Sequence, residues 1–451
     1  VSVRPYYRAE DLKKLNHPGT SPGQFPFVRG TKGDNNWLVR QGYCARESFT
    51  KANEQAVDGL MKGVDSVSFC IDGKRGITPE KMSILLKGID LSVTEVNFEG
   101  CSCASAEIIE SFLKVASDNG ANRESLRASF DFDPLRYLTT TGAYCCSDFK
   151  TTLKSCMTLV KDYPGIRVIG VEAYMFNDAG STIVQELGFA MGAGSEYMNL
   201  LTEMGYSANE AASRIKFTFA VSSSYFMEIA KFRSARMLWA NIVKEYGAND
   251  ESAQKINIHA VTSQWNMTVY DPYVNLLRGT TEAMSAALAG VDSLEVLPFD
   301  YTFREPATFS NRIARNTQII LKEESYFDKV NDPAAGSYYI ETLTSSVSEE
   351  AWKLFKNIEE RGGYINALKD SYVQGEIKAA SAKRDNNIAT RREILLGTNQ
   401  YPNFNEVADK DVAYDVVTLG AKWEKSDTPV VEPIEKYRGA QAFEADRKSV
   451  V

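Results

Sequence analysis

The sequence predicts an α/β fold: a (β/α)8 TIM barrel with an irregular N-terminal arm and a C-terminal helical and linker segment. Three observations predict it. Eight short β-rich runs alternate with longer helical patterns over roughly 300 residues, the connection length that parallel strands need. The chain has 451 residues and is 43% hydrophobic, enough for a large core. The turn after the first predicted strand, Asp72-Gly73-Lys74-Arg75-Gly76, lacks the G-x-G-x-x-G of a doubly wound dinucleotide fold.

Residues 1–55 read as the arm, because turn formers crowd it from Asn16-His17-Pro18-Gly19 to Gly30-Thr31-Lys32-Gly33-Asp34-Asn35-Asn36. The barrel and its extra C-terminal helices are expected over 56–400. β-branched and aromatic runs predict strands at 65–72, 94–99, 127–132, 167–173, 216–222, 256–263, 293–299 and 337–342. Apolar residues at threes and fours predict the helices between them. Ile183, Leu187, Met191, Gly194, Met198 and Leu201 form one such stripe, and Ile229, Phe232, Ala235, Trp239, Ile242 and Tyr246 another. Helical patterns continue at 347–361, 375–382 and 388–396. From 401 to 451, Pro402, Pro429, Pro433 and scattered charges read as a linker.

Lys and Arg number 51 against 59 Asp and Glu, a net charge of -8. That balance offers no basic footprint for nucleic acid. No run of 18 apolar residues argues for a membrane span. Seven cysteines at irregular spacing, Cys44, Cys70, Cys101, Cys103, Cys145, Cys146 and Cys156, suggest reduced thiols and a cytoplasmic setting. The chain opens Val1-Ser2-Val3-Arg4 without an initiating methionine, as a piece of a longer polypeptide would.

Chemistry on a (β/α)8 barrel belongs at the C-terminal ends of the strands. Carboxylates are frequent there: Asp72, Glu99, Asp131, Asp133, Glu172 and Asp300. They read first as helix caps and rim ion pairs. The alternative is an acid/base pair of a hydrolase or lyase, which requires two of Asp72, Glu99, Asp131 and Glu172 to meet in one pocket. Of the two histidines, His17 and His259, neither belongs to a visible triad, and His259 reads as a hydrogen-bonded strand residue. Cys101-Ser102-Cys103 and Cys145-Cys146 read as small buried residues, and no metal is assigned. Phe69, Phe98, Phe130, Phe132, Phe217, Phe219 and Phe299 either fill the barrel or press on the outer helices, and inward phenylalanines would close its axis.

Two stretches are more particular: Tyr225-Phe226-Met227-Glu228-Ile229-Ala230-Lys231-Phe232-Arg233 with Leu238-Trp239-Ala240, and Arg312-Ile313-Ala314-Arg315-Asn316-Thr317-Gln318-Ile319-Ile320 with Glu324-Ser325. With Trp37 to Gln41, Thr262-Ser263, Trp265, Asp271-Pro272-Tyr273, Asp332-Pro333 and Gly336-Ser337-Tyr338, they make the chain resemble the methylmalonyl-CoA mutase family from about Phe25 to Tyr401. The resemblance implies a (β/α)8 barrel linked to a C-terminal cobalamin-binding domain. It also implies an adenosylcobalamin-dependent interconversion of methylmalonyl-CoA and succinyl-CoA. Bacterial members pair a catalytic large chain with a related small one.

The departures from the family's catalytic pattern indicate the small, non-catalytic subunit. Where catalytic chains carry Gly-Tyr-His-Met-Gln-Glu-Ala-Gly, this chain has Ala173-Tyr174-Met175-Phe176-Asn177-Asp178-Ala179-Gly180, so Met175 replaces the histidine. Thr141 falls where an arginine would clamp the substrate carboxylate, which a hydroxyl cannot do bidentately. Gly42 displaces the expected tyrosine, with Tyr43 next in line. Val296-Leu297-Pro298-Phe299-Asp300-Tyr301-Thr302 replaces a run that contacts the cofactor, and the cobalt-ligating Asp-x-His-x-x-Gly is absent from these residues. The expectation is therefore a chain with no catalytic residues and no cofactor of its own, with Met175, Thr141 and Gly42 as degenerate positions. Tyr43, Tyr174, His259 and Trp265 would line a vestigial pocket. The adenosylcobalamin would sit on a large catalytic partner in a heterodimer. The alternative within the family is an active acyl-CoA mutase of altered specificity.

Overall fold

The computed structural model describes residues 3–13, 15–71, 76–100, 102–403, 406 and 423–448, so Asp72 and Cys101 lie outside the described residues. Eight parallel strands close into a barrel: β1 Leu38–Cys44, β2 Ser66–Cys70, β3 Glu95–Glu99, β4 Ala128–Phe132, β5 Ile166–Glu172, β6 Ile215–Val221, β7 Ile258–Thr262 and β8 Ser293–Glu295. Helices follow the strands and cover the outside, as the sequence predicts.

Two strand expectations are corrected. The strand that closes the barrel is β1, which lies in the stretch read as an irregular arm and pairs with both β2 and β8. Its sequence, Leu-Val-Arg-Gln-Gly-Tyr-Cys, hides the strand because inward Arg40 and Gly42 break the apolar alternation that marks a strand. Residues 337–342 instead begin the helix Tyr338–Glu360. The Ser337 hydroxyl accepts from the Ile340 amide as its N-cap, and Ile340, Leu343, Val347, Ala351, Phe355 and Ile358 form its buried stripe. That three-and-four spacing outweighs the β propensity of Tyr338, Tyr339 and Ile340.

The strand phenylalanines face outward. Phe98 stacks on Phe130 with centroids 5.2 Å apart and meets Phe112 of the helix Ser105–Asp118 edge-on. Phe217 meets Trp239 and Phe219 meets Phe232, both rings of the helix Tyr225–Glu245. This apolar layer between sheet and helices is the main core, and it leaves the inner face of the sheet to polar side chains.

The last described segment crosses the C-terminal end of the barrel. Amides of Val430, Ile434, Tyr437 and Gly439 donate to the carbonyls of Gly142, Thr139, Asp178 and Trp265 at 2.8, 2.9, 3.0 and 2.9 Å. Val431, Ile434 and Ala440 are buried, so this part of the expected linker has a core of its own against the barrel. Gly142 and Gly180 permit the approach: both have φ +86, and a Cβ would stand 2.7 Å from Pro429 Cβ and 2.5 Å from the Tyr437 hydroxyl, respectively. No helix among the described residues is long and apolar enough to cross a membrane.

Candidate functional site

Side chains alternate across each strand, so every second residue points to the barrel axis. On the axis they build one connected polar network. Arg40 of β1 donates to Glu95 Oε1 at 2.7 Å and to Ser66 Oγ at 3.1 Å. Asn97 donates to Ser66 at 2.9 Å, Ser129 donates to Asn97 at 2.7 Å, and Lys216 donates to Ser129 at 3.0 Å. Beside this network, His259 Nδ1 of β7 and Ser293 Oγ of β8 are 2.9 Å apart. Burial pushes the Glu95 carboxyl up, but Arg40 outweighs it and holds the group down at about 2.

Toward the C-terminal ends the lining turns acidic. Lys216 Nζ lies 2.5 Å from Asp131 Oδ1, and Thr218 donates to Glu172 Oε1 at 3.2 Å. A Cβ on Gly170 would stand 2.8 Å from Glu172 Oε1 and 3.0 Å from Asp131 Oδ1, so these two carboxylates meet above that glycine. Glu99 accepts from Ser68 at 2.7 Å, and Glu295 accepts from the Gly42 amide at 2.9 Å. Burial, reinforced by Asp131, pushes Glu172 up to about 8; burial, reinforced by Glu99, pushes Glu295 up to about 7. Burial, then Arg40 and Lys216, holds His259 well below its ordinary value, so its ring is neutral.

The raised Glu295 value fixes a pH dependence. Its unfolded value is near 4.5, so its contribution is fully present below that pH and is lost as pH rises through about 7. Glu295→Gln should therefore be more stable than the parent at pH 8 by about 1–3 kcal/mol and nearly equal to it at pH 4.5. Urea unfolding at the two pH values checks this; a gap that does not widen with pH would contradict it.

The expected vestigial pocket is only partly assembled. His259 faces the axis, and the Tyr174 hydroxyl accepts from Arg136 Nη1 at 3.1 Å near Glu172. Tyr43 faces the other way, as the residue after inward Gly42 must: its hydroxyl donates to Gln41 Oε1 at 3.1 Å and reaches Gly59 of an outer helix. Trp265 lies beneath the crossing C-terminal segment, between Tyr437 edge-on and the Arg384 guanidinium 3.3 Å from its ring. Of the degenerate positions, Gly42 is exposed and faces Glu295; a Cβ there would sit 2.9 Å from Oε1 at the flexible end of that side chain. Met175 is buried in the main core. Thr141 donates back to the Tyr137 carbonyl at 2.8 Å.

Among the strand-end carboxylates, Asp133 is a cap: it accepts from the Arg136 amide at 2.9 Å, the Glu172 amide at 3.0 Å and Tyr197 at 2.6 Å. Asp300 pairs with Arg304 at 2.9 Å. Arg40, Glu95, Lys216 and Glu295 escaped the sequence reading. The available signal was the two-residue alternation of Ser66-Val67-Ser68-Phe69, Glu95-Val96-Asn97-Phe98-Glu99 and Lys216-Phe217-Thr218-Phe219.

The segments that carry the resemblance pack against one another. Trp37 Nε1 donates to Gln318 Oε1 at 3.2 Å, and Arg315 Nη1 to Gln41 Oε1 at 3.3 Å. Lys231 is buried between Glu186 at 2.8 Å and Glu228 at 2.6 Å. Arg233 binds Asp332 and, at 2.5 Å, Glu341, which also meets His17 Nε2 at 3.0 Å and accepts from the Gly336 amide at 2.9 Å.

Known proteins place the whole. The methylmalonyl-CoA mutase family model matches residues 73–445. The methylmalonyl-CoA mutase small subunit of Porphyromonas gingivalis is 46% identical over 99% of this chain and 71% of its own length. The small subunit from Streptomyces virginiae is 35% identical over 90% of the chain and 65% of its length. A methylmalonyl-CoA mutase of Rhizobium meliloti is 32% identical over 90% of the chain, which spans 61% of that relative. On the extent of these matches and on the barrel described above, the chain belongs to the methylmalonyl-CoA mutase family.

Proposed function

We propose that this chain is the non-catalytic small subunit of a heterodimeric, adenosylcobalamin-dependent methylmalonyl-CoA mutase. The homologous large subunit carries out the interconversion of methylmalonyl-CoA and succinyl-CoA, and this barrel stabilises it in the cytoplasm. The observation that carries the reading is the polar network from Arg40 to Lys216, which occupies the axis along which a thioester would have to thread. The acidic lining of Glu99, Asp131, Glu172 and Glu295 would also repel the substrate carboxylate. Names of the relatives as small subunits agree with it.

The residues present do not fit a cobalamin on this barrel. Its C-terminal face is crossed by 430–439, and the two histidines are committed elsewhere, His17 to Glu341 and His259 to Ser293. In this reading 401–451 is a linker toward a cobalamin-binding-like domain, and its described residues 430–440 lie against the barrel.

Co-expression with the family's large chain tests the pairing: a one-to-one complex is expected, and two chains eluting separately would refute it. Met175→His should yield no measurable turnover from this chain, because the carboxylate clamp is still missing and the introduced ring would be buried. An isomerase assay of the purified variant with adenosylcobalamin reads this, and appreciable activity would favour an acyl-CoA mutase of altered specificity instead. One observation favours a hydrolase reading, the meeting of Asp131 with a Glu172 raised to about 8. It requires acyl-CoA hydrolysis by the isolated chain that Glu172→Gln abolishes.

A further inference from the structure

Three cysteines come together where two loops meet at the C-terminal end of the barrel. Cys103 lies in the single turn Ser102–Ala104 after β3, and Cys145 and Cys146 lie between the helices Pro134–Thr141 and Phe149–Leu159 after β4. Their three sulfur atoms are all within 4.8 Å of one another. Contrary to the sequence reading, these are not small buried residues: Cys103 is exposed, and the other two are half-buried.

The loops are held so that the sulfurs converge. The Asp133 amide donates to Ser102 Oγ at 3.1 Å, and the Cys103 thiol donates to the Cys145 carbonyl at 3.0 Å. Tyr144 stacks on Phe149 with centroids 4.9 Å apart, and Asp148 caps the helix that follows, accepting from the Thr151 amide at 3.2 Å. Fixed backbone on both sides of the cluster lowers the ordering cost of binding.

The spacing suits coordination better than a disulfide. Cys145 and Cys146 sulfurs are 4.0 Å apart, against about 2 Å for a disulfide. Thiolates on a tetrahedral Zn2+ at about 2.3 Å stand about 3.8 Å from each other. We propose that Cys103, Cys145 and Cys146 form a three-thiolate site for a thiophilic cation of the Zn2+ class, with a fourth position open to solvent on the exposed Cys103 side. Each thiol that ligates gives up its proton to solvent, and no electron changes hands. A bound ion would staple the β3 and β4 loops independently of what the barrel mouth does.

The full chain, reduced and stripped with a chelator, should take up Co2+ with a thiolate-to-cobalt absorption band that saturates at one ion per chain and is bleached by Zn2+. Cys145→Ser should weaken Co2+ binding on the order of 100-fold or more, at least the loss known for second-shell changes. Cys44→Ser, at the end of β1, should leave it unchanged. Failure of the reduced parent chain to develop the band, or equal weakening by the two variants, overturns the proposal. The parent titration stands even where a variant does not fold. A Cys103–Cys145 or Cys145–Cys146 disulfide that survives reduction and leaves no cobalt band overturns it as well.

Discussion

Arg233→Ala is expected to cost about 3–5 kcal/mol of folding stability, because it removes the guanidinium shared by two buried carboxylates, leaving Asp332 with Arg29 at 3.4 Å and Glu341 with His17. Arg233, Asp332 and Glu341 are all buried, and Arg233 Nε also donates to Thr344 Oγ1 at 3.1 Å. Burial pushes the Glu341 carboxyl up, yet His17 and Arg233 outweigh it and hold the group at about 2. The stability it contributes is present above its ordinary value near 4.5 and is lost progressively as pH falls from there through about 2. Urea unfolding near neutral pH measures the cost. Should the alanine variant not accumulate, Arg233→Lys keeps the charge but gives up the fork geometry, and a loss of at least about 1 kcal/mol is expected. A loss below about 0.5 kcal/mol in both variants would show that the cluster contributes little.

Lys216→Met should lose a similar amount, about 3–5 kcal/mol at pH 8, and distinctly less at pH 5. Lys216 lies against Asp131 and lowers both Glu172 and Glu295, whose values already stand at about 8 and about 7. Without that cation, ionising the lining at high pH accumulates unopposed negative charge, whereas at pH 5 the raised carboxyls keep their protons. Unfolding curves at the two pH values give the test. Equal losses would mean that the lysine acts by packing alone.

The outer half of the barrel was far more legible than the inner half. Helix stripes such as Ile229, Phe232, Ala235 and Trp239 repeat over about three turns, and the strands of β-branched and aromatic residues stand out against turns. The axis is another matter. Inward residues come two or three at a time from separate strands far apart in the chain, so no local window contains Arg40, Glu95 and Lys216 together. His17 illustrates the same limit: 324 positions separate it from Glu341, with which it pairs. The family signature was legible because Trp37, Gln41, Arg233, Arg315, Gln318 and Asp332 hold packed elements together. Tyr43 was misplaced by one residue of a two-residue period, which reverses the side of the sheet that a side chain occupies.

Barrel closure by β1 against β8 bears on how the protein is made. A nascent chain can pair β1 with β2 early, but the opposite edge of β1 has no partner until Ser293–Glu295 has left the ribosome, about 250 residues later. At translation rates of about 5–20 residues per second, that edge waits roughly 10–50 s. During this interval the half-formed sheet is a substrate for chaperones or for aggregation, and the charged Arg40 on its waiting edge discourages a stray strand from docking there.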